Sequence, residues 1–220
     1  YALQYPDSLT VNEILYAATM YNDNDSKLKI YKTAFGIHPN CWTAYNNAGV
    51  IELEMGNVAG AQDMFKMADE KSNNNGIVKN NLGVVACHME DYDKAEMLFK
   101  QAQQLGQDVN YNMGTIEILN GNYSKAVQLF GSTKCKYNVG LAQLLNGNTS
   151  EAENTLKCAP EHAETHYLLA VIGARTDNSS MVYEYLGKAI GEDPEIAARA
   201  KGDREFVKFF NTPEFQGLVQ

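Results

Sequence analysis

Apolar and small residues along this chain recur at helical spacing, in pairs of segments separated by short polar turns. The turns supply glycine, asparagine and aspartate, the residues that helix ends and left-handed backbone positions favour. The pattern therefore predicts an all-α protein built from helix–turn–helix repeats. The predicted turns lie at Gly56-Asn57, Asp91-Tyr92, Gly121-Asn122 and Gly147-Asn148.

Two of the repeats match each other with a period of 34 residues. Small residues at two of the shared positions indicate that the two helices of a repeat approach closely. The aromatic residue at the third position is expected to fill the space between neighbouring repeats. One such hairpin cannot bury its own apolar face and must stack on the next. The anchors shifted by one period are Gly49 and Gly83, Ala61 and Ala95, and Phe65 and Phe99.

Two shorter repeats follow the same pattern. Gly114 precedes Ala126 by 12 residues, and Gly140 precedes Ala152 by the same distance. A fifth repeat begins near Ala170, and residues 11–39 are predicted to form a degenerate repeat at the start of the array. The remaining anchors of the fifth repeat are Val182, Leu186, Ala189 and Pro194.

This arrangement resembles the tetratricopeptide-repeat (TPR) family, which has a glycine in its first helix, alanine twelve residues later and an aromatic residue four further on. The resemblance implies a right-handed superhelical solenoid of about six TPR-like repeats with C-terminal capping helices. Thr212 is predicted to cap the last helix ahead of Pro213. We expect a single array over residues 1–220, with a leading segment at 1–9, repeats at 10–194 and a C-terminal cap at 195–220.

The composition limits what the chain can bind. The net charge of -9 argues against nucleic acid, whose binding depends on Lys and Arg, and against an anionic membrane surface. No apolar run reaches the roughly 18 residues of a membrane span. Phosphate-binding loops and nucleophile motifs are also missing from the sequence. We therefore expect a non-enzymatic protein without a cofactor or membrane insertion, whose partner is a protein or peptide; its oligomeric state stays open.

Asparagines recur two residues before the repeat glycines, and asparagine or tyrosine stands one residue earlier. The TPR resemblance implies that the first helix of each repeat lines a concave groove in which partner peptides lie. A ladder of amides there can pair with the backbone of an extended peptide, or it can join neighbouring helices. The tyrosines can form a groove wall or pack between helices. The predicted groove residues are Asn46, Asn47, Asn80, Asn81, Tyr111, Asn112, Tyr137, Asn138 and Tyr167.

One specialised TPR groove does not match this sequence. The chaperone-binding subfamily carries a clamp of Lys and Arg for carboxylates on the first helices. The corresponding positions here are Asn46, Val50, Asn80 and Val84. We therefore expect a groove without that clamp.

Cys135 and Cys158 bracket the fourth repeat, whose outer ends meet in an antiparallel hairpin. A disulfide is plausible there if the Cα atoms lie within about 7 Å, and it would indicate an oxidising compartment. The alternative is two small buried thiols. Cys41 and Cys87 have no evident mates and are expected to be buried thiols.

His162 and His166 are four residues apart and could face a metal together. A third ligand is not evident in the sequence, and packing is the favoured interpretation. We therefore predict no metal site.

The chain also resembles TPR segments of cell-envelope proteins of Bacteroides-type bacteria. Four segments carry this likeness, and it implies a periplasmic or outer-membrane-associated scaffold; a cytoplasmic protein is the alternative. A structural spacer or self-association module of a larger envelope protein is the alternative to a peptide-binding scaffold. The segments are residues 7–11, the cysteine-bounded short repeat with residues 141–145, and residues 167–175 and 213–216.

Overall fold

A computed structural model describes residues 3–220, and all regular secondary structure in this range is helical. This confirms the predicted fold class. No helix within the described range is long and apolar enough to cross a membrane. The α-helices are α1 (Val11–Thr19), α2 (Asn24–Ile37), α3 (Trp42–Glu54), α4 (Val58–Lys71), α5 (Gly76–His88), α6 (Tyr92–Gln104), α7 (Asn110–Leu119), α8 (Tyr123–Phe130), α9 (Tyr137–Leu145), α10 (Thr149–Lys157), α11 (Ala163–Arg175), α12 (Ser179–Glu192), α13 (Glu195–Gly202) and α14 (Pro213–Leu218), with short 3-10 helices at Pro6–Ser8 and Arg204–Phe206.

Over residues 3–220 the helices pair in chain order into six hairpins, followed by the C-terminal helices α13 and α14. The chain divides into two compact units. The N-terminal unit ends at Met113 and the C-terminal unit begins at Gly114, so the boundary falls inside α7. The degenerate first repeat predicted at residues 11–39 is the hairpin of α1 and α2.

A glycine in the odd-numbered helix of four of the hairpins, at Gly49, Gly83, Gly114 and Gly140, explains how closely the two helices pack. A Cβ atom on Gly83 would lie 2.5 Å from the ring of Phe99 in α6, and one on Gly49 would lie 2.7 Å from the ring of Phe65 in α4. Both rings are fully buried. Phe65 also packs against Val85 of the following hairpin. The anchors recognised in the sequence therefore join the helices within a hairpin as well as neighbouring hairpins.

In five of the hairpins the turn between the two helices is built in the same way. The backbone amide of the last turn residue, which directly precedes the second helix, donates to the carbonyl five residues earlier, as from Asn57 to Glu52 at 2.8 Å and from Asn122 to Glu117 at 2.8 Å. The residue before it has positive φ, which glycine tolerates best. Glu90, with φ of 59°, takes this place in the third hairpin.

Two buried glutamates brace these turns from inside the hairpin. The side-chain amides of Asn57 and Asn122 donate to the carboxylates of Glu52 and Glu117 at 2.7 and 2.8 Å. Both glutamates are less than a tenth exposed. Lys32 lies 3.5 Å from the Glu52 carboxylate and reduces the cost of burying its charge.

The C-terminal cap closes the apolar end of α11 and α12. The backbone amide of Phe215 donates to the Thr212 hydroxyl, which caps α14 as predicted, with Pro213 in its first turn. The rings of Phe206 and Phe215 are buried side by side, with their centroids 5.8 Å apart. This apolar filling covers a surface that the last hairpin could not bury alone.

Candidate functional site

The predicted groove residues of the N-terminal unit lie on one side of α3, α5 and the first turn of α7. We call this side the inner face. The glycines that contact the even-numbered helices point to a different side of the same helices. In α5, for example, Gly83 and Val84 of the inner face are roughly 100° apart around the helix axis. The inner face consists of Thr43, Asn46, Asn47, Val50, Glu54, Ile77, Asn80, Asn81, Val84, His88, Tyr111 and Asn112.

The asparagines of the inner face form a continuous chain of hydrogen bonds across three helices. Asn112 Nδ2 donates to Asn80 Oδ1 at 2.8 Å, which joins α7 to α5. Asn81 Nδ2 donates to Asn46 Oδ1 at 2.9 Å, which joins α5 to α3. Within each helix the neighbouring amides are linked at 3.3 Å, from Asn80 to Asn81 and from Asn46 to Asn47.

The chain of amides ends at Asn47, whose side chain interacts with a buried tyrosine of α2, Tyr31. Burial raises the pKa of Tyr31, and the interaction with Asn47 partly offsets this rise. All the links run in the same direction, so Asn80, Asn81 and Asn46 each donate one bond and accept another, and the bonds reinforce one another.

The links use only half of each amide. An asparagine side chain has two N–H donors and two acceptor lone pairs. Asn80, Asn81 and Asn46 each give one N–H and one lone pair to the chain of amides. Asn80 and Asn81 are half-buried, and each has a second N–H and a second lone pair that these links do not use.

Aliphatic side chains lie exposed between the asparagines. Ile77 is 42% exposed and Val50 is 36% exposed, and Val84 is half-buried beside them. Ile77 and Val84 are seven residues apart and therefore share one stripe of α5. From the sequence, Val50 and Val84 indicated only that a basic clamp is missing, and Ile77 was not among the predicted groove residues. The seven-residue spacing of apolar residues next to repeated asparagines was the signal that could have identified them.

The C-terminal unit carries a shorter version of this arrangement. Asn138 in α9 donates to the Thr115 hydroxyl in α7 at 3.1 Å, so the asparagine again joins successive odd-numbered helices. Tyr137 is half-buried, and burial and the charge of Glu164 raise its pKa. Leu145, at the end of α9, is 37% exposed.

Tyr167 differs from the expectation of an exposed groove wall, because the C-terminal cap covers it. Its side chain is 1% exposed, and its hydroxyl donates to Asp203 at 2.5 Å. The guanidinium of Arg199 lies over the ring, 4.0 Å from its centroid, and also donates to both oxygens of Glu164. Burial, followed by the hydrogen bond to Asp203, raises the pKa of Tyr167.

The structure contains the disulfide predicted between Cys135 and Cys158. The Cα atoms are 4.8 Å apart, and the bond closes a loop with a sequence separation of 23. Cys158 ends α10, and Cys135 lies two residues before α9, so the bond ties the two ends of the shortened hairpin together. Cys41 and Cys87 are free and half-buried rather than fully buried. Burial raises the pKa of the Cys87 thiol.

The two histidines of α11 have separate structural roles. His162 caps the helix by accepting a hydrogen bond from the backbone amide of Thr165. His166 is buried, 3.3 Å from the Glu192 carboxylate, although the angle is not that of a hydrogen bond. No group of three or more metal-binding side chains occurs among residues 3–220.

Comparison with known proteins finds no matching family model and no matching curated protein. Solved structures are similar in fold. PilW, a widely conserved type IV pilus biogenesis factor, has 16% identity and a TM-score of 0.69, covering 96% of this chain and 98% of its own. A TPR protein from Parabacteroides merdae has 14% identity and a TM-score of 0.57, covering 95% and 98%.

YrrB, a TPR protein described as having an unusual peptide-binding site, has 22% identity and a TM-score of 0.50, covering 78% of this chain and 97% of its own. At these identities the likeness concerns the fold alone. This chain has the TPR fold, which confirms that part of the resemblance found in the sequence.

Proposed function

We propose that this chain is a non-catalytic scaffold that binds a segment of a partner protein on the inner face of the N-terminal unit. The observation that carries the proposal is the combination of exposed Ile77 and Val50 with asparagine amides that are only half used. Exposed aliphatic side chains favour a partner that covers them. The open amide groups give that partner fixed hydrogen-bonding positions.

A TPR-fold protein of similar architecture supports the proposal. YrrB is described as binding a peptide, and PilW as a factor in pilus biogenesis. Tyr167, whose pKa is strongly raised, has a structural role in the C-terminal unit. The Tyr167 hydroxyl is bound to Asp203 beneath Arg199, where it cannot reach a substrate. These features favour binding over catalysis.

For its location we propose the periplasm or the outer membrane of a bacterial cell envelope. The disulfide between Cys135 and Cys158 supports an oxidising compartment. The test is a free-thiol titration of denatured, non-reduced protein from the native host. We expect Cys41 and Cys87 to react and the other two cysteines to stay linked. Four reactive thiols would favour the cytoplasm instead.

A second candidate function is a structural spacer or self-association module. The observation that favours it is the covering of Tyr167 by Arg199 and Asp203, because the chain's own C-terminal segment fills a predicted groove position there. In this case the inner face of the N-terminal unit would contact a second copy rather than a different protein.

The two functions can be separated by photo-cross-linking in the native host. A photoreactive amino acid is placed at Val84 on the inner face or, as a control, at Met97, which is 50% exposed on α6. The proposal predicts a product from position 84 alone, whose cross-linked peptide maps to one segment of one other protein. The synthetic segment should bind the purified chain, and Val84→Asp should abolish that binding.

Two results would contradict the peptide-binding scaffold. Products that contain only a second copy of this chain would favour self-association. Equal cross-linking from positions 84 and 97, or none from position 84, would remove the inner face as the binding surface.

A further inference from the structure

The chemistry of the inner face narrows the class of partner, and this step rests on the proposed function. The exposed stripe of α5 carries Ile77 and Val84, and the stripe of α3 carries Val50 at the position equivalent to Val84. The stripe of α5 lies between Asn81, which binds α3, and Asn80, which binds α7. Aliphatic and amide positions therefore alternate across the face.

The open amide groups favour an extended partner over a helical one. A helix has already used its backbone N–H and C=O groups internally and offers none to Asn80 or Asn81. An extended strand leaves these groups free, and its side chains alternate in direction with a period of two. One set of side chains can then contact the aliphatic stripes while the backbone pairs with the amides.

The spacing of the helices sets the length of that strand. Packed helices are about 8–10 Å apart, so the distance from α3 to α7 is roughly 20 Å. An extended chain advances about 3.3 Å per residue, so about six residues cover the face.

Charge determines which residues the strand carries at its ends. The inner face has one carboxylate, Glu54, and no Lys or Arg. Residues 1–113 carry 14 acidic and 8 basic side chains, a net charge of -6. A partner segment with acidic residues, or one bound through its terminal carboxylate, would find no cation on this face and would be repelled by the unit as a whole.

We propose that the inner face binds an internal, extended segment of about six residues, with aliphatic side chains at alternate positions and basic rather than acidic flanking residues. The asparagines bind its main chain, and Val50, Ile77 and Val84 contact its aliphatic side chains. The acidic surface of the N-terminal unit selects the flanking charge.

The test uses a library of random peptides of about ten residues, displayed as an internal loop so that no free carboxylate is present. The library is selected on the immobilised full-length chain and, in parallel, on Val84→Asp and on the matched control Met97→Asp. We expect the wild type and the control to enrich the same peptides. These should show alternating Val, Ile or Leu and an excess of Lys and Arg over Asp and Glu. Resynthesised as acetylated amides, they should bind Val84→Asp at least about tenfold more weakly.

Enrichment of acidic peptides, equal enrichment on Val84→Asp, or no enrichment on the wild type would overturn this assignment of the partner class. The cross-linking experiment is independent of the library. If position 84 yields a product that maps to an acidic or carboxyl-terminal segment, the inner face is a binding surface and the partner class inferred here is wrong. If the selected peptides bind but position 84 gives no cross-linked product, the inferred peptide preference is correct and the proposed function in the cell is wrong.

Discussion

The contact between Gly83 and Phe99 gives the sharpest test of how the hairpins pack. We predict that Gly83→Ala destabilises the N-terminal unit, although alanine is the better helix former. The matched control is Gly36→Ala, because Gly36 lies inside α2 with no atom within 4 Å of its added Cβ. Both substitutions add the same methyl group to a helical residue, Gly36 in the last turn of α2 and Gly83 in the middle of α5. The main difference between the two sites is the space available to the methyl group.

The structure gives the magnitude. The added Cβ on Gly83 would lie 2.5 Å from Phe99 Cε1 and 2.7 Å from Cδ1, whereas carbon atoms pack best at about 3.5–4.0 Å. The ring must therefore move by about 1 Å within a core where it is 1% exposed. Overpacking of this kind costs up to about 3 kcal/mol, and the gain in helix propensity is about 1 kcal/mol. The expected net loss is about 2 kcal/mol, against a gain of about 0.5–1 kcal/mol for Gly36→Ala.

The assay is urea unfolding followed through the fluorescence of Trp42. Trp42 is the chain's one tryptophan, and it packs against the core between α4 and α5. Its signal therefore reports on the N-terminal unit. With a slope of about 1–3 kcal/mol per molar urea, the midpoints of the two variants should differ by about 1 M or more.

A double mutant checks the cause of the effect. The sixth hairpin, α11 and α12, has Ala170 at the position of Gly83 and Leu186 at the position of Phe99, both fully buried, so Gly83→Ala with Phe99→Leu reproduces a pair that the chain already uses. The combined loss should be smaller than the sum of the single losses by at least about 1 kcal/mol. Additive losses, or a Gly83→Ala variant as stable as Gly36→Ala, would refute the close-contact explanation.

Three further predictions concern other parts of the chain. Replacing Cys135 and Cys158 by serine should lower the free energy of unfolding of the C-terminal unit by about 3 kcal/mol, because the closed loop no longer restricts the unfolded chain. Urea unfolding followed by circular dichroism measures this loss, and an unchanged midpoint would contradict it. The pKa of Tyr167 is higher in the folded protein than the value of about 10 in the unfolded chain. The contribution of the Tyr167 side chain to stability is therefore complete below pH 10. It is lost as the pH rises towards the folded pKa, by up to about 1.4 kcal/mol per pH unit. Tyr167→Phe should flatten the alkaline decline in unfolding midpoints between about pH 9 and 11, and an identical pH profile would count against the assignment. Glu90→Gly should stabilise the N-terminal unit by about 1 kcal/mol in the Trp42 urea assay, because a residue with a Cβ is held there at φ of 59°; a lower midpoint would be inconsistent with backbone strain at this turn.

The sequence was sufficient for the repeat architecture. Glycine and aromatic anchors recur at fixed spacing because every hairpin solves the same local packing problem with its neighbour. The cap at Thr212, the hairpin at residues 11–39 and the pairing of Cys135 with Cys158 could also be predicted, because each depends on residues that are close along the chain or at opposite ends of one hairpin.

The arrangement of the candidate site depended on contacts between hairpins. The sequence showed a recurring asparagine, but it could not decide whether the amides bind each other or a partner. In the structure they join α3, α5 and α7, and these links use only half of the donors and acceptors of each amide. Whether a partner uses the open half stays a prediction.

The exposure of Tyr167 also depended on contacts that the sequence did not reveal. Its place in the repeat predicts the same exposure as Tyr111, which is 37% exposed. Only the folded C-terminal segment places Arg199 and Asp203 against it, from more than 30 residues away along the chain. Helical periodicity fixes which side of a helix a residue occupies, whereas its exposure depends on the element that packs against that side, and distant parts of the chain supply that element.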